Sequence, residues 1–229
     1  MRIDWAADVL RAALTPHGYN VIEHDGWTHA GNGELVSLDA FVWHHDASAS
    51  GYSPGMADYI RRQVDAGKPG AQMWVALPGD WHLLASGLTY HAGEVIAGKP
   101  DNKHSAGIET DHTTGEDIGL FLLDSLRIGT AALLNHLQRG PDVGLEFHKT
   151  ICRPRGRKPD PHGLDLSTER AAVTALMKLK ETDMPFSKEE RDSITAVNWL
   201  ATAALQTAER VEKKLDALAA EIAAHRKSG

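Results

Sequence analysis

Short apolar stretches alternate with helical hydrophobic periods along the chain as far as Leu137, and that alternation restricts the fold to an α/β domain with helices covering a central sheet. Trp5, Val9, Leu10, Ala13 and Leu14 recur at helical spacing between Asp4 and Leu14, and Pro16-His17-Gly18 ends the period. Tyr19 to Glu23 reads as a short strand, and Leu35 to Trp43 as another that runs into His44-His45. Pro54 to Ala66 predicts a helix with Met56, Ile60 and Val64 on one face. Gln72 to Leu77 and His82 to Tyr90 predict paired strands around the turn Pro78-Gly79-Asp80. Ala106 to Thr110 is a further strand candidate, and Ile118 to Leu137 a long apolar helix. These patterns leave the strand directions open.

Composition sets the outer limits. The chain has 229 residues, 42% hydrophobic and 24% charged, which supports a core without disulfides or a membrane. Its single cysteine, Cys152, forms no intramolecular disulfide, so folding needs no oxidising compartment. The opening Met-Arg-Ile-Asp-Trp-Ala-Ala-Asp lacks the pattern of a secretory signal, and no apolar run is long enough to span a membrane. A net charge of -7 argues against general nucleic-acid binding, which needs a basic face. The 13 histidines are the anomaly, because histidine is the commonest metal ligand and general base.

The character changes after Pro185. Ser187 and Glu190 form an S-x-x-E helix start, and neither proline nor glycine interrupts the chain from there until Gly229. Ile194, Val197, Ala201, Ala204, Ala208, Val211, Leu215, Leu218 and Ile222 trace an a/d seam over about four heptads. Residues 187–226 are therefore expected to form one long helix. That helix either covers the domain or forms a coiled coil that makes a homo-oligomer; direct wall binding is the third option.

Four local motifs carry the chemistry: Phe41-Val42-Trp43-His44-His45-Asp46-Ala47-Ser48, Ser105-Ala106-Gly107-Ile108-Glu109-Thr110, Glu146-Phe147-His148-Lys149 and Gly156-Arg157-Lys158-Pro159-Asp160-Pro161. A catalytic zinc site needs three protein ligands, an open position for water, and a nearby base and electrophile. These motifs contain such residues, but chemistry alone does not select them among 13 histidines.

In this order and at these separations, the motifs resemble the type 2 N-acetylmuramoyl-L-alanine amidase family, over roughly Asp39 to Asp165. That family includes phage lysozyme-type amidases, muropeptide-recycling amidases and peptidoglycan recognition proteins. The resemblance implies a central mixed β-sheet flanked by helices. It divides the chain into an N-terminal helix-strand extension (1–38), a zinc amidase domain (39–182) and the long C-terminal helix (187–226).

The resemblance also implies roles. His44, His148 and Asp160 would hold one Zn2+ per chain; Glu109 would be the general base and then acid, and Lys158 would stabilise the oxyanion. Side chains alternate along a strand, so only one of His44 and His45 should face the metal, and the register of the resemblance selects His44. Cys152, four residues after His148, is the rival thiol ligand to Asp160. His91, in Thr89-Tyr90-His91-Ala92-Gly93, is expected on the substrate side, as is Gln72, where some relatives carry a catalytic tyrosine. The implied reaction is hydrolysis of the amide between N-acetylmuramic acid and L-alanine in bacterial peptidoglycan. Absence of a signal suits a phage endolysin, made in the host cytoplasm and released to the wall through a membrane lesion, and equally a cytoplasmic recycling amidase. A wall-binding module without activity and a zinc peptidase acting within the stem peptide are the alternatives. No membrane insertion is expected.

Overall fold

A computed structural model describes residues 1–46, 55–62, 69–113, 115 and 117–178. The expected helix over 187–226, and with it the coiled-coil reading, lies outside the described residues. Among the described residues one sheet contains β1 (Val21–Glu23), β2 (Ala40–Trp43), β3 (Met73–Ala76), β4 (Asp80–Leu83), β5 (Ser105–Thr110) and β6 (Leu145–Phe147). Their order across the sheet is β1-β4-β3-β5-β2-β6. β3, β5, β2 and β6 run parallel to one another. β4 pairs antiparallel with β3, and β1 runs parallel to β4, so the sheet is mixed.

The helices are α1 (Ala6–Leu14), α2 (Met56–Arg62), α3 (Leu120–His136), α4 (Pro141–Gly144), α5 (His148–Ile151) and α6 (Leu166–Lys178). Alternation sorts the sheet's two faces. Phe41, Trp43, Met73, Val75, Trp81, Leu83, Ala106, Ile108, Leu145 and Phe147 enter the main core with α1, α3 and α6. The opposite face carries Val42 packed with Ala92 and Ile151, and Trp74 and Ala76 packed with Ala57 and Ile60 of α2. The two indoles that the sheet contributes to the main core are satisfied. Trp43 Nε1 donates to Thr130 Oγ1 at 3.0 Å and Trp81 Nε1 to Ser125 Oγ at 3.0 Å. Each would otherwise leave a buried donor costing about 1–3 kcal/mol.

Several expected elements change in extent. Leu35 to Trp43 is not one strand, because ladder pairing starts at Ala40. The preceding stretch instead bonds Leu35 N to Met1 O at 2.9 Å and Val36 N to Lys103 O at 2.8 Å. The strand expected from His82 to Tyr90 begins at Asp80 and ends at Leu83. β6, α4, α5 and α6 are additions to the periodicity reading. α6 is fastened to α3 by Arg127, whose Nε and Nη2 donate to the buried Glu169 carboxylate at 2.6 and 2.8 Å.

Candidate metal centre

The sheet register builds the site. Trp43 of β2 pairs with Ile108 of β5 and with Phe147 of β6. The next residues therefore stand at one level across three adjacent parallel strands, Glu109 within β5 and His44 and His148 directly after β2 and β6. They also fall on the face opposite Trp43, Ile108 and Phe147, away from the main core. Trp74 continues the row on β3, in register with Glu109, and its Nε1 donates to Asp46 Oδ2 at 2.9 Å.

Asp160 reaches this level from the loop after α5. Lys149 N donates to Asp160 O at 2.7 Å, and Lys149 Nζ donates to the carbonyls of Pro161 at 2.9 Å and Leu164 at 2.5 Å. His162 N donates to His45 Nδ1 at 3.1 Å. The second histidine of the pair thus braces the loop while the first faces the site. A supporting place for His45 follows from its alternation with His44 on the strand, whereas the use of Lys149 was not foreseen from sequence; its position directly after His148 was the available signal.

Three donor atoms converge. His44 Nδ1 lies 2.9 Å from His148 Nδ1 and 3.2 Å from Asp160 Oδ2, and His148 Nδ1 lies 2.9 Å from the same oxygen. All three residues are buried, and among the described residues they form the one group of three or more His, Cys, Asp or Glu arranged to hold a metal ion. Cys152 is buried elsewhere, its Sγ against the carbonyls of Lys149 and Pro154. The donor set fits zinc in kind and size. A tetrahedral site with ligand bonds of ~2.0 Å has ligand–ligand edges of about 3.3 Å.

Electrostatics favour the ligating forms. Burial drives His44 down to about 4, against a smaller upward pull from Asp160, so its ring is neutral at pH 7. Burial alone would raise Asp160, but the imidazoles of His148 and His44 beside it outweigh that and hold the carboxyl well below the usual carboxylate range. Neutral imidazoles and an ionised carboxylate are the forms that bind a metal.

Glu109 contrasts with Asp160 in its partners and in its proton affinity. Its Oε2 is enclosed without a hydrogen-bond partner. Burial first, then the Asp160 and Asp46 carboxylates, push it up to about 8, while Lys158 opposes the shift. Lys158 is half-buried, and its charge acts on both His44 and Glu109. One strongly acidic and one weakly acidic carboxyl within mutual influence is the arrangement that separates a ligand from a proton carrier.

The two residues expected on the substrate side are placed differently. Gln72 is fully buried. Its Oε1 accepts from Thr89 Oγ1 at 2.8 Å and Gly107 N at 2.7 Å, and its Nε2 donates to Gly87 O at 3.1 Å. Both lone pairs of Gln72 Oε1 and one Nε2 hydrogen are thus engaged inside the fold. His91 is also buried, between His44 Nε2 at 3.1 Å and Ser105, and is held well below the ordinary histidine range by burial.

No family model and no curated protein matches this sequence. The fold does have counterparts among solved structures. The Staphylococcus aureus hydrolase AmiA, determined in complex with its ligand, superposes with a TM-score of 0.57 at 14% identity, covering 77% of this chain and 93% of AmiA. A selenomethionine derivative of AmpD gives 0.53 at 17% identity, over 68% of this chain and 94% of its own. The catalytic domain of XlyA gives 0.51 at 15% identity, over 67% of this chain and 99% of its own. With its mixed sheet, flanking helices and these likenesses together, the chain has the type 2 amidase fold.

Proposed function

We propose that this protein is a zinc-dependent N-acetylmuramoyl-L-alanine amidase that hydrolyses the bond between the muramic lactyl group and L-alanine in peptidoglycan. The observation that carries the reading is the convergence of His44 Nδ1, His148 Nδ1 and Asp160 Oδ2, with the weakly acidic Glu109 at the same level on the neighbouring strand. Zinc held by those three atoms would polarise the scissile carbonyl and acidify the attacking water.

The chain's own residues supply the rest. Glu109 takes the proton from the attacking water and passes it to the leaving amine of L-alanine, a transfer suited to a carboxyl whose affinity for protons is raised towards neutrality. Lys158 stabilises the negative charge that develops on the lactyl carbonyl oxygen. Asp160 remains ionised throughout, as its depressed proton affinity requires.

The cellular setting we propose is host lysis as a phage endolysin. Its support is the sequence architecture alone, an amidase domain followed by the heptad-patterned segment 187–226. The chemical test is incubation of purified protein with peptidoglycan, with and without a chelator, followed by mass spectrometry of the new ends. Free L-alanine amino termini with intact lactyl groups, lost on chelation and restored by zinc, are expected. Binding without cleavage would make the protein a recognition module, and new termini within the stem would make it a peptidase.

A further inference from the structure

Each histidine at the centre offers Nδ1 towards the other ligands and turns Nε2 into the protein, and the partners of the two Nε2 atoms come from one short segment, Thr89 to Ala92. The hydrogen positions along this chain of contacts follow from what each partner can do. Ser105 Oγ donates its proton to Asp101 O at 2.6 Å, so towards His91 it can only accept; Ser105 O is a carbonyl and accepts as well. Both stand 3.3 Å from His91 Nε2, which must therefore carry the hydrogen. In a neutral ring His91 Nδ1 is then bare. His44 Nε2, 3.1 Å away, must donate to it, which leaves His44 Nδ1 with an open lone pair. His148 reaches the same state by a shorter route, its Nε2 donating to Ala92 O at 3.2 Å.

The geometry points to His91 as a positioning residue that fixes the ligating tautomer of His44, and to the Gly87–Ala92 segment, fastened by Gln72, as the strap that presets both histidines for the metal. This inference rests on the metal-site reading above, and it gives the two residues first expected at the substrate a different task.

Two observations besides the hydrogen bonds support it. A Cβ on Gly107 would stand 2.6 Å from His91 Cγ and 2.7 Å from its Cβ, so the imidazole lies against β5 only because residue 107 is glycine. Gln72 Oε1 joins that same Gly107 N–H to Thr89 Oγ1, locking the strand to the start of the strap. At the other end Ala92 N donates to Asn102 Oδ1 at 2.7 Å. Outer partners of this kind typically contribute about 10–100-fold in metal affinity.

The experiment compares wild type with His91→Phe, His91→Gln and Gly107→Ala on two readouts. One is zinc affinity by competition with a chromophoric chelator. The other is the tautomer of His44 in metal-free protein by long-range 1H–15N NMR. Wild type should show the Nε2–H form of His44. His91→Phe, which keeps a ring but neither donates nor accepts, should weaken zinc about 10–100-fold and leave His44 in mixed tautomers. His91→Gln, able to accept from His44 and donate to Ser105, should recover most of the affinity. Gly107→Ala should mimic His91→Phe with the imidazole still present. An Nδ1–H form of His44 in wild type, or unchanged zinc affinity in both His91→Phe and Gly107→Ala, overturns the inference. Wild type that takes up no zinc would instead defeat the metal reading, while the metal-free tautomer still decides this one.

Discussion

Glu109 stands level with His44 on the neighbouring parallel strand, because each follows one member of the register pair Ile108 and Trp43. The proposed metal ligand and the proposed proton carrier are therefore placed by the same backbone ladder, and neither depends on a long loop for its position. Their proton affinities diverge because burial disfavours the charged form of each, which raises the Glu109 carboxyl and lowers the His44 imidazole.

Glu109→Gln should keep stoichiometric zinc and lose about 10²–10⁴-fold in turnover, the range for removal of a general acid–base group. Metal content and rate on the same preparation check this. Stability of the metal-free protein gives an independent test. An unfolded chain ionises this carboxyl near 4.5, whereas the folded group holds its proton up to about 8. Between these values the folded state binds more protons, so Glu109 costs stability as pH rises through that window. The melting temperature of Glu109→Gln relative to wild type should accordingly climb from pH 5 to pH 8. A flat difference would mean that Glu109 is not held neutral.

His148→Ala should lose both zinc and activity. It removes one of three ligands and leaves His44 Nδ1 with Asp160 alone. Elemental analysis after dialysis against a weak chelator checks it. Stoichiometric zinc retained by the variant would refute the ligand set, and Cys152, buried against the carbonyls of Lys149 and Pro154, would not explain such retention.

Much of this was legible in the sequence, for definite reasons. Strands β2 and β5 carry apolar runs that end on polar residues, and those ends are where the candidate site lies. Leu35 and Leu38 misled, because both are core residues on a stretch that makes no ladder. β6 has only Leu145, Glu146 and Phe147, and it is a strand because β2 pairs with it, a fact absent from its own pattern. α6 was hidden because it buries little, chiefly Glu169 and Val173. Gln72 and His91 illustrate a general limit. A polar residue beside a site looks the same in sequence whether it faces a ligand or satisfies buried partners, and only the partners distinguish the two cases.

Arg127→Leu should be more harmful than removal of the whole ion pair. Glu169 is 3% exposed at its side chain and takes two hydrogen bonds from Arg127. Loss of the guanidinium leaves a buried carboxylate uncompensated, a defect that typically costs about 3–5 kcal/mol. Arg127→Leu with Glu169→Leu should recover most of that loss, since it removes the stranded charge as well. Urea unfolding of the two single variants and the double variant measures the coupling. Equal losses in Arg127→Leu and in the double variant would count against a buried, desolvated pair.

Gly129→Ala sets two effects of known size against each other. Alanine in a helix interior gains about 1 kcal/mol over glycine. Here, however, the added Cβ would press on Trp81 Cζ2 and stand 2.7 Å from its Cε2. Trp81 cannot yield easily: it is fully buried, its Nε1 donates to Ser125 Oγ, and that hydroxyl donates to Gly79 O at 2.6 Å. Overpacking of a rigid core costs about 1–3 kcal/mol, so the clash should win and the melting temperature should fall. Trp81→Phe removes the ring atoms that obstruct residue 129. In that background Gly129→Ala should become stabilising, because only the helix gain remains. The same sign in both backgrounds would show that the close approach of α3 to β4 is not what keeps glycine at this position.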